Sequence, residues 1–162
     1  MTYVEAAAAP LRKTGQIKLH GKDAFEGMRK AGRLVAECLD MLVEHANQRV
    51  TFGQKLADRQ AIQWWVADAA TKLHACRLMV MDAAVKQDEG RDVRMEASMI
   101  KVFATEMATE VIDHAQQAFG AMGVTQELPL SWLAQKVRTM RVYEGPSEVH
   151  RMVIARRILG GR

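Results

Sequence analysis

Three long stretches of this chain carry apolar residues at alternating spacings of three and four. That period admits little besides amphipathic helices packed side by side. In the first stretch Phe25, Met28, Gly32, Val35, Leu39, Leu42 and Ala46 form one seam, widened by Ala31, Leu34, Cys38 and Met41. In the second the seam is Ile62, Trp65, Ala69, Leu73, Cys76, Val80 and Ala83. In the third it is Val93, Ala97, Ile100, Ala104, Met107, Val111, Ala115 and Ala118. Each stripe needs a partner to cover it.

Turn and cap residues set the boundaries. Asp23, with Glu26 three residues on, predicts a capping box and a first helix over 23–46. Arg49-Val50-Thr51-Phe52-Gly53 reads as a turn. A second helix starts at Gln54 or Ala57 and reaches Asp88, stopped by Glu89-Gly90-Arg91. A third spans Asp92–Phe119. Gly120, Gly123 and Pro129 bracket the next loop. A short helix, Pro129–Arg138, precedes a break at Glu144-Gly145-Pro146, and a last helix covers Ser147–Leu159. Residues 1–22 read as irregular, except that Gln16–His20 alternates like a short strand and requires a partner. The expected fold is all-α: an antiparallel up-down four-helix bundle with a short extra helix, one domain over 23–162.

Composition agrees and excludes some functions. Hydrophobic residues make up 49% of the chain, enough for a core, and aromatics only 6%, against eleven methionines. That usage favours helix over strand. The net charge of +4 is not gathered into any Lys/Arg run, so no nucleic-acid partner is expected. No apolar run reaches the ~18 residues of a membrane span, and no signal peptide is expected; the expected compartment is the cytoplasm. Cys38 and Cys76 lie apart within helical patterns and read as buried, reduced thiols. No metal site is expected. Asp23, Glu37, Asp40 and Glu44 read as a cap and a solvated face, and His74 and His114 lie on different helices. Trp65 is expected in the core and Trp64 partly exposed or at an interface.

Three segments, in this order and at these separations, closely resemble the C-terminal helical domain of acyl-CoA dehydrogenases, over about Ala46–Leu159. They are Arg49-Val50-Thr51-Phe52-Gly53 leading to Gln60, then Gln117-Ala118-Phe119-Gly120-Ala121-Met122-Gly123, then Tyr143-Glu144-Gly145-Pro146-Ser147-Glu148-Val149-His150-Arg151. The resemblance implies oxidation of an acyl thioester with FAD, and Glu144 as the base that removes the α-proton. It implies that Arg49 neutralises the flavin pyrophosphate and that Phe52 packs on the nucleotide. Gln60, Gln117, Phe119 and Gly120 would line the flavin site of a neighbouring subunit. Gly145, Ser147 and Glu148 would lie beside the isoalloxazine and adenosine. Ala121, in place of a common second Gly, and Pro146, in place of a common Thr, depart from the family pattern.

An earlier segment resembles another family. Gly15-Gln16-Ile17-Lys18-Leu19-His20 and Phe25-Glu26-Gly27-Met28-Arg29-Lys30-Ala31-Gly32-Arg33-Leu34 look like the N-terminus of a bacterial methionine aminopeptidase. The two resemblances meet between about Val43 and Arg49. Together they imply a chimera, foreign over about 1–45, with dehydrogenase-like helices over 54–159.

At 162 residues the chain leaves no room for the two further domains of the resembled dehydrogenases. The leading expectation is therefore a self-associating helix bundle, a homodimer or homotetramer with the long second and third helices at the interface. It would have vestigial flavin-site residues, no cofactor in the isolated chain and no turnover alone. Two alternatives stay open. One is an FAD-dependent acyl-CoA dehydrogenase, present as a fragment or split subunit. The other is an engineered binding scaffold.

Overall fold

The computed structural model describes residues 2–5, 16–19 and 36–160. The chain divides into two compact units, Met1–Ala36 and Glu37–Arg162. In the first, strand β1 (Thr2–Glu5) pairs in parallel with β2 (Gln16–Leu19), Thr2 opposite Gln16 and Glu5 opposite Leu19. The expected strand is therefore present and finds its partner within the chain, so a second copy is not needed to pair it. Residues 2–5 were expected to be irregular. The capping box at Asp23 and the start of the first helix lie outside the described residues.

The second unit is helical. Helix α1 is described over 36–48, two residues past the expected end. A small hairpin follows, β3 (Val50–Thr51) with β4 (Gln54–Lys55), then a 3-10 turn at Leu56–Asp58. Helix α2 spans Gln60–Asp88 and α3 Arg94–Phe119. A 3-10 segment, Gly120–Val124, leads to α4 (Leu130–Met140), and α5 (Ser147–Ile158) closes the unit.

Helix α3 is the spine, packing against α2, α4 and α5. Ion pairs fix the directions. Lys72 reaches Glu110 and Lys86 reaches Glu96, so α2 runs antiparallel to α3. Arg151 meets Glu106 and Arg157 meets Asp92, so α5 also runs against α3. Helix α4 does the same: Ser131, near its start, bonds the Gly123 carbonyl, and Arg141, just past its end, meets Glu106. Helices α4 and α5 thus follow one another down α3, and the break between them falls beside the first turns of α3.

The core is narrower than the seams suggest. Cys38, Leu42 and Ala46 of α1 are buried, while Leu39 is only half-buried against Ala69, Cys76, Met107 and Val111. Leu42 and Ala46 lie on the expected seam and Cys38 on the stripe that widens it, so the inner face draws on both. On α2, Ile62, Ala69 and Cys76 are buried, but Val80 is exposed. On α4, Leu130, Leu133 and Val137 point inward at helical spacing. Trp65 is half-buried, stacked on His114 with ring centroids 4.5 Å apart, and Trp64 is exposed.

Leu42 has no exposed surface. Leu42→Ala is expected to destabilise the fold by about 2–5 kcal/mol in denaturant unfolding. Val43→Ala, one residue on and at the surface, is expected to stay within about 0.5 kcal/mol. Both thiols are free and buried. Burial, aided by Glu37, pushes the Cys38 thiol up to about 11. The thiolate is the reactive form, so Cys38 should be inert to Ellman's reagent at mildly alkaline pH and react only on unfolding.

Candidate functional site

The predicted site residues gather at two places. The first is where α1, the hairpin and the C-terminus of α3 meet. The amide of Arg49 donates to His45 O at 2.8 Å, and the Arg49 carbonyl accepts from Leu56 N at 2.9 Å. The hairpin therefore grows directly from the end of α1. Its two loop residues, Phe52 and Gly53, have φ of 49° and 76°. Positive φ at both is the requirement of a type I′ turn, which Asn-Gly ordinarily meets and Phe does not. Arg59 braces the loop by donating from Nη2 to the Thr51 carbonyl at 2.8 Å. The outcome is a Phe52 side chain 98% exposed, held on a strained backbone. Arg49 is also exposed and makes no ion pair among the described residues. Gln60 is exposed at the first position of α2.

His45 joins this cluster to α3: its ring stacks on Phe119 at 3.9 Å between centroids. Beyond Phe119 the chain turns at Gly120, and a hollow of about 270 Å³ is lined by Asp113, Gln116, Gln117, Gly120, Ala121 and Val124. Gly123 fixes this turn. A Cβ there would lie 2.3 Å from the Gln116 carbonyl oxygen, so no other residue fits without moving backbone. Gln117 and Gly120 are exposed, and Phe119 is half-buried.

The second place is the break between α4 and α5. Tyr143, Glu144 and Gly145 border an open cleft of about 640 Å³ with Arg94, Ser98, Lys101 and His150. Glu144 is exposed and has φ of 56°, a left-handed backbone that costs an L-residue about 1–2 kcal/mol. The turn is closed by the Ser147 amide, which donates to the Arg141 carbonyl at 3.1 Å. Ser147 itself is buried at the start of α5, while Glu148 faces solvent.

Lys101 stands beside the second cluster and Phe119 in the first. Eighteen helical residues separate them, roughly 27 Å along α3. The structure therefore does not bring Arg49, Phe52, Gln60, Gln117, Phe119 and Gly120 together with Glu144, Gly145, Ser147 and Glu148 within one chain. Among the described residues no three His, Cys, Asp or Glu side chains are grouped to hold a metal, and no helix is long and apolar enough to cross a membrane. Two features were missed at the sequence level. One is the hairpin that presents Phe52. The other is the pair Lys101 and His150 bracing the Glu144 turn, which join distant segments and leave no local signal.

The His45 stack has a pH consequence. Burial lowers its pKa, outweighing the hydrogen bond to the Ala118 backbone, and Arg49 lowers it further. The folded state thus favours the neutral ring. This contribution is fully present above the ordinary histidine value of about 6.5 and is lost as pH falls below it. Between about pH 8 and about pH 5 the wild-type melting temperature should drop more than that of His45→Gln.

Residues 27–159 match the family described as acyl-CoA dehydrogenase, C-terminal domain. The chain is 45% identical to (R)-benzylsuccinyl-CoA dehydrogenase of Thauera aromatica, over 75% of this chain and 30% of that protein. It is 34% identical to acryloyl-CoA reductase (NADH) of Anaerotignum propionicum, over 94% of this chain and 40% of that protein. Butyryl-CoA dehydrogenase from Megasphaera elsdenii superimposes with a TM-score of 0.74 at 32% identity, covering 80% of this chain and 34% of that one. The chain thus spans about a third of the length of these relatives. The segment expected to be foreign lies largely inside these matches. The family begins at residue 27, and a 94% alignment cannot leave out residues 1–45. The proposed junction also falls within one unbroken helix, 36–48. A methionine aminopeptidase origin for the N-terminal segment finds no support. The chain belongs to the acyl-CoA dehydrogenase C-terminal domain family.

Proposed function

We propose that this chain is the C-terminal helical layer of an acyl-CoA dehydrogenase-type flavoprotein and that it contributes to two flavin sites, half to each. The observation that carries the reading is the separation of the predicted residues into clusters at opposite ends of α3. Neither cluster forms a closed pocket. Each has the character of half a site. In the first, the exposed guanidinium of Arg49 suits a pyrophosphate, and the exposed face of Phe52 suits a planar ring. Gln60, Gln117, Phe119 and Gly120 surround the same end. In the second, Glu144 borders the cleft, with Gly145 beside it and Ser147 and Glu148 opening α5. Together these groups suit a flavin dinucleotide. Bound FAD would supply a two-electron acceptor for the β-hydrogen of an acyl thioester.

The chain's own part in the chemistry is proton transfer. Glu144 would remove the α-proton of the thioester or, in the reductive direction, return it. Glu144 is exposed to solvent in this arrangement. Water must be excluded from the cleft before it becomes an effective base. Turnover by this chain alone is therefore not expected, and dye-coupled acyl-CoA oxidation abolished by Glu144→Gln would contradict that.

A second copy is the natural complement. Helix α2 carries an exposed apolar stripe, Trp64, Leu78, Met81 and Val85, on the side away from Ile62, Ala69 and Cys76. Such stripes seldom stay uncovered. We take α2 to lie at a homodimer interface, or in a tetramer of two dimers, that brings the first cluster of one chain to the second cluster of another. FAD anisotropy titrations test the cofactor half of this reading. Arg49→Gln with Phe52→Ala should weaken binding at least about tenfold without lowering the melting temperature. Equal affinity in wild type and variant would remove these residues from the site.

A further inference from the structure

We propose that Lys101 and His150 are positioning residues for Glu144, acting on its backbone. The inference rests on the reading of Glu144 as the base. Three successive carbonyls of the break are held, the outer two by Lys101 of α3 and the middle one by His150 of α5. Lys101 Nζ donates to the Tyr143 carbonyl at 2.7 Å and also to the Gly145 carbonyl. Between them, the Glu144 carbonyl lies 3.2 Å from His150 Nε2. A carbonyl only accepts, so Nε2 carries the proton of that bond, and Nδ1 lies 3.1 Å from the Ser98 hydroxyl, which itself donates to the Arg94 carbonyl at 2.9 Å. Glu144 and Gly145 have φ of 56° and 98°. Left to itself, this segment would relax to negative φ at Glu144 and turn the carboxyl elsewhere. The ammonium bridges the residues on either side of Glu144 and opposes that rotation. The imidazole fixes the intervening peptide. Gly145 makes the arrangement possible, since a Cβ there would stand 3.0 Å from His150 Nε2. Lys101 and Ser98 both come from α3, so the base is registered to the spine of the bundle. Lys101 touches neither the carboxylate nor any reacting atom in this arrangement; it acts through the backbone.

Amide hydrogen exchange on the full chain tests this independently of flavin or substrate. Lys101→Met removes the ammonium that donates to both carbonyls and keeps most of the stem. It should speed exchange across 143–150 at least about tenfold while α2 is unchanged, and Lys101→Arg should restore much of the protection. His150→Leu should loosen the same segment, whereas His150→Gln, whose amide can still donate to the Glu144 carbonyl, should not; this pair decides the matter if Lys101→Met does not fold. Unchanged exchange in both Lys101→Met and His150→Leu, or loosening spread evenly over all helices, would overturn the proposal. If the segment loosens as expected but FAD never binds, the positioning stands and the flavoprotein reading fails.

Discussion

Everything in the helical unit depends on α3 being covered along its length by separate elements. Ile112 and Ala115 have no exposed surface, and Met107, Ala108 and Val111 are nearly as enclosed. Helix α2 covers one side in a single span. On the other, α4 and α5 share the length, and two shorter helices cannot cover it without a break. The carboxylates of Asp92, Glu106 and Glu110 fix the alignment by receiving Arg157, Arg151 and Lys72. Exposed pairs of this kind add little stability. Their value here is register, because they determine which part of α3 faces the break.

That break is where the fold spends its strain. A long helix in the fourth position would have satisfied its own backbone and left no turn to present a carboxylate. The interruption instead leaves carbonyls that need donors, and α3 supplies them through Lys101, with His150 of α5 anchored on Ser98. The hairpin at the other end follows the same logic. Its turn puts positive φ on an aromatic residue, which solvent exposure alone would never favour. Both strained residues, Phe52 and Glu144, are exposed and lie among the residues that the family resemblance assigns to chemistry. Strain concentrated at such positions is expected where geometry serves binding or catalysis.

Much of this was legible in the sequence. The three-four periodicity gave the helices, and Gly90, Gly120 and Gly145 marked the ends of three of the elements within a few residues. The inner face of α1 takes Leu42 and Ala46 from one apolar stripe and Cys38 from its neighbour, and only the facing helices leave Leu39 half-buried. The hairpin was hidden because Phe52-Gly53 is not a common type I′ pair. Strand β1 was hidden because its pairing with β2 is non-local. The conversion of Lys101 and His150 from surface residues into braces depends on contacts across more than forty residues for one and fifty for the other. No window of sequence holds them.

The most direct test of the account is whether the two ends of α3 meet across chains. One sample would carry a nitroxide at Phe52→Cys only, the other at Glu144→Cys only, and the buried Cys38 and Cys76 should stay unlabelled. The labels within one chain would be too far apart to share a site, at roughly 27 Å or more along α3. After mixing and exchange of subunits, pulsed electron resonance should show a new interchain distance well below that value, absent from either sample alone. If the mixture shows no such distance while light scattering confirms association, the two halves do not face each other and the shared-site account is wrong.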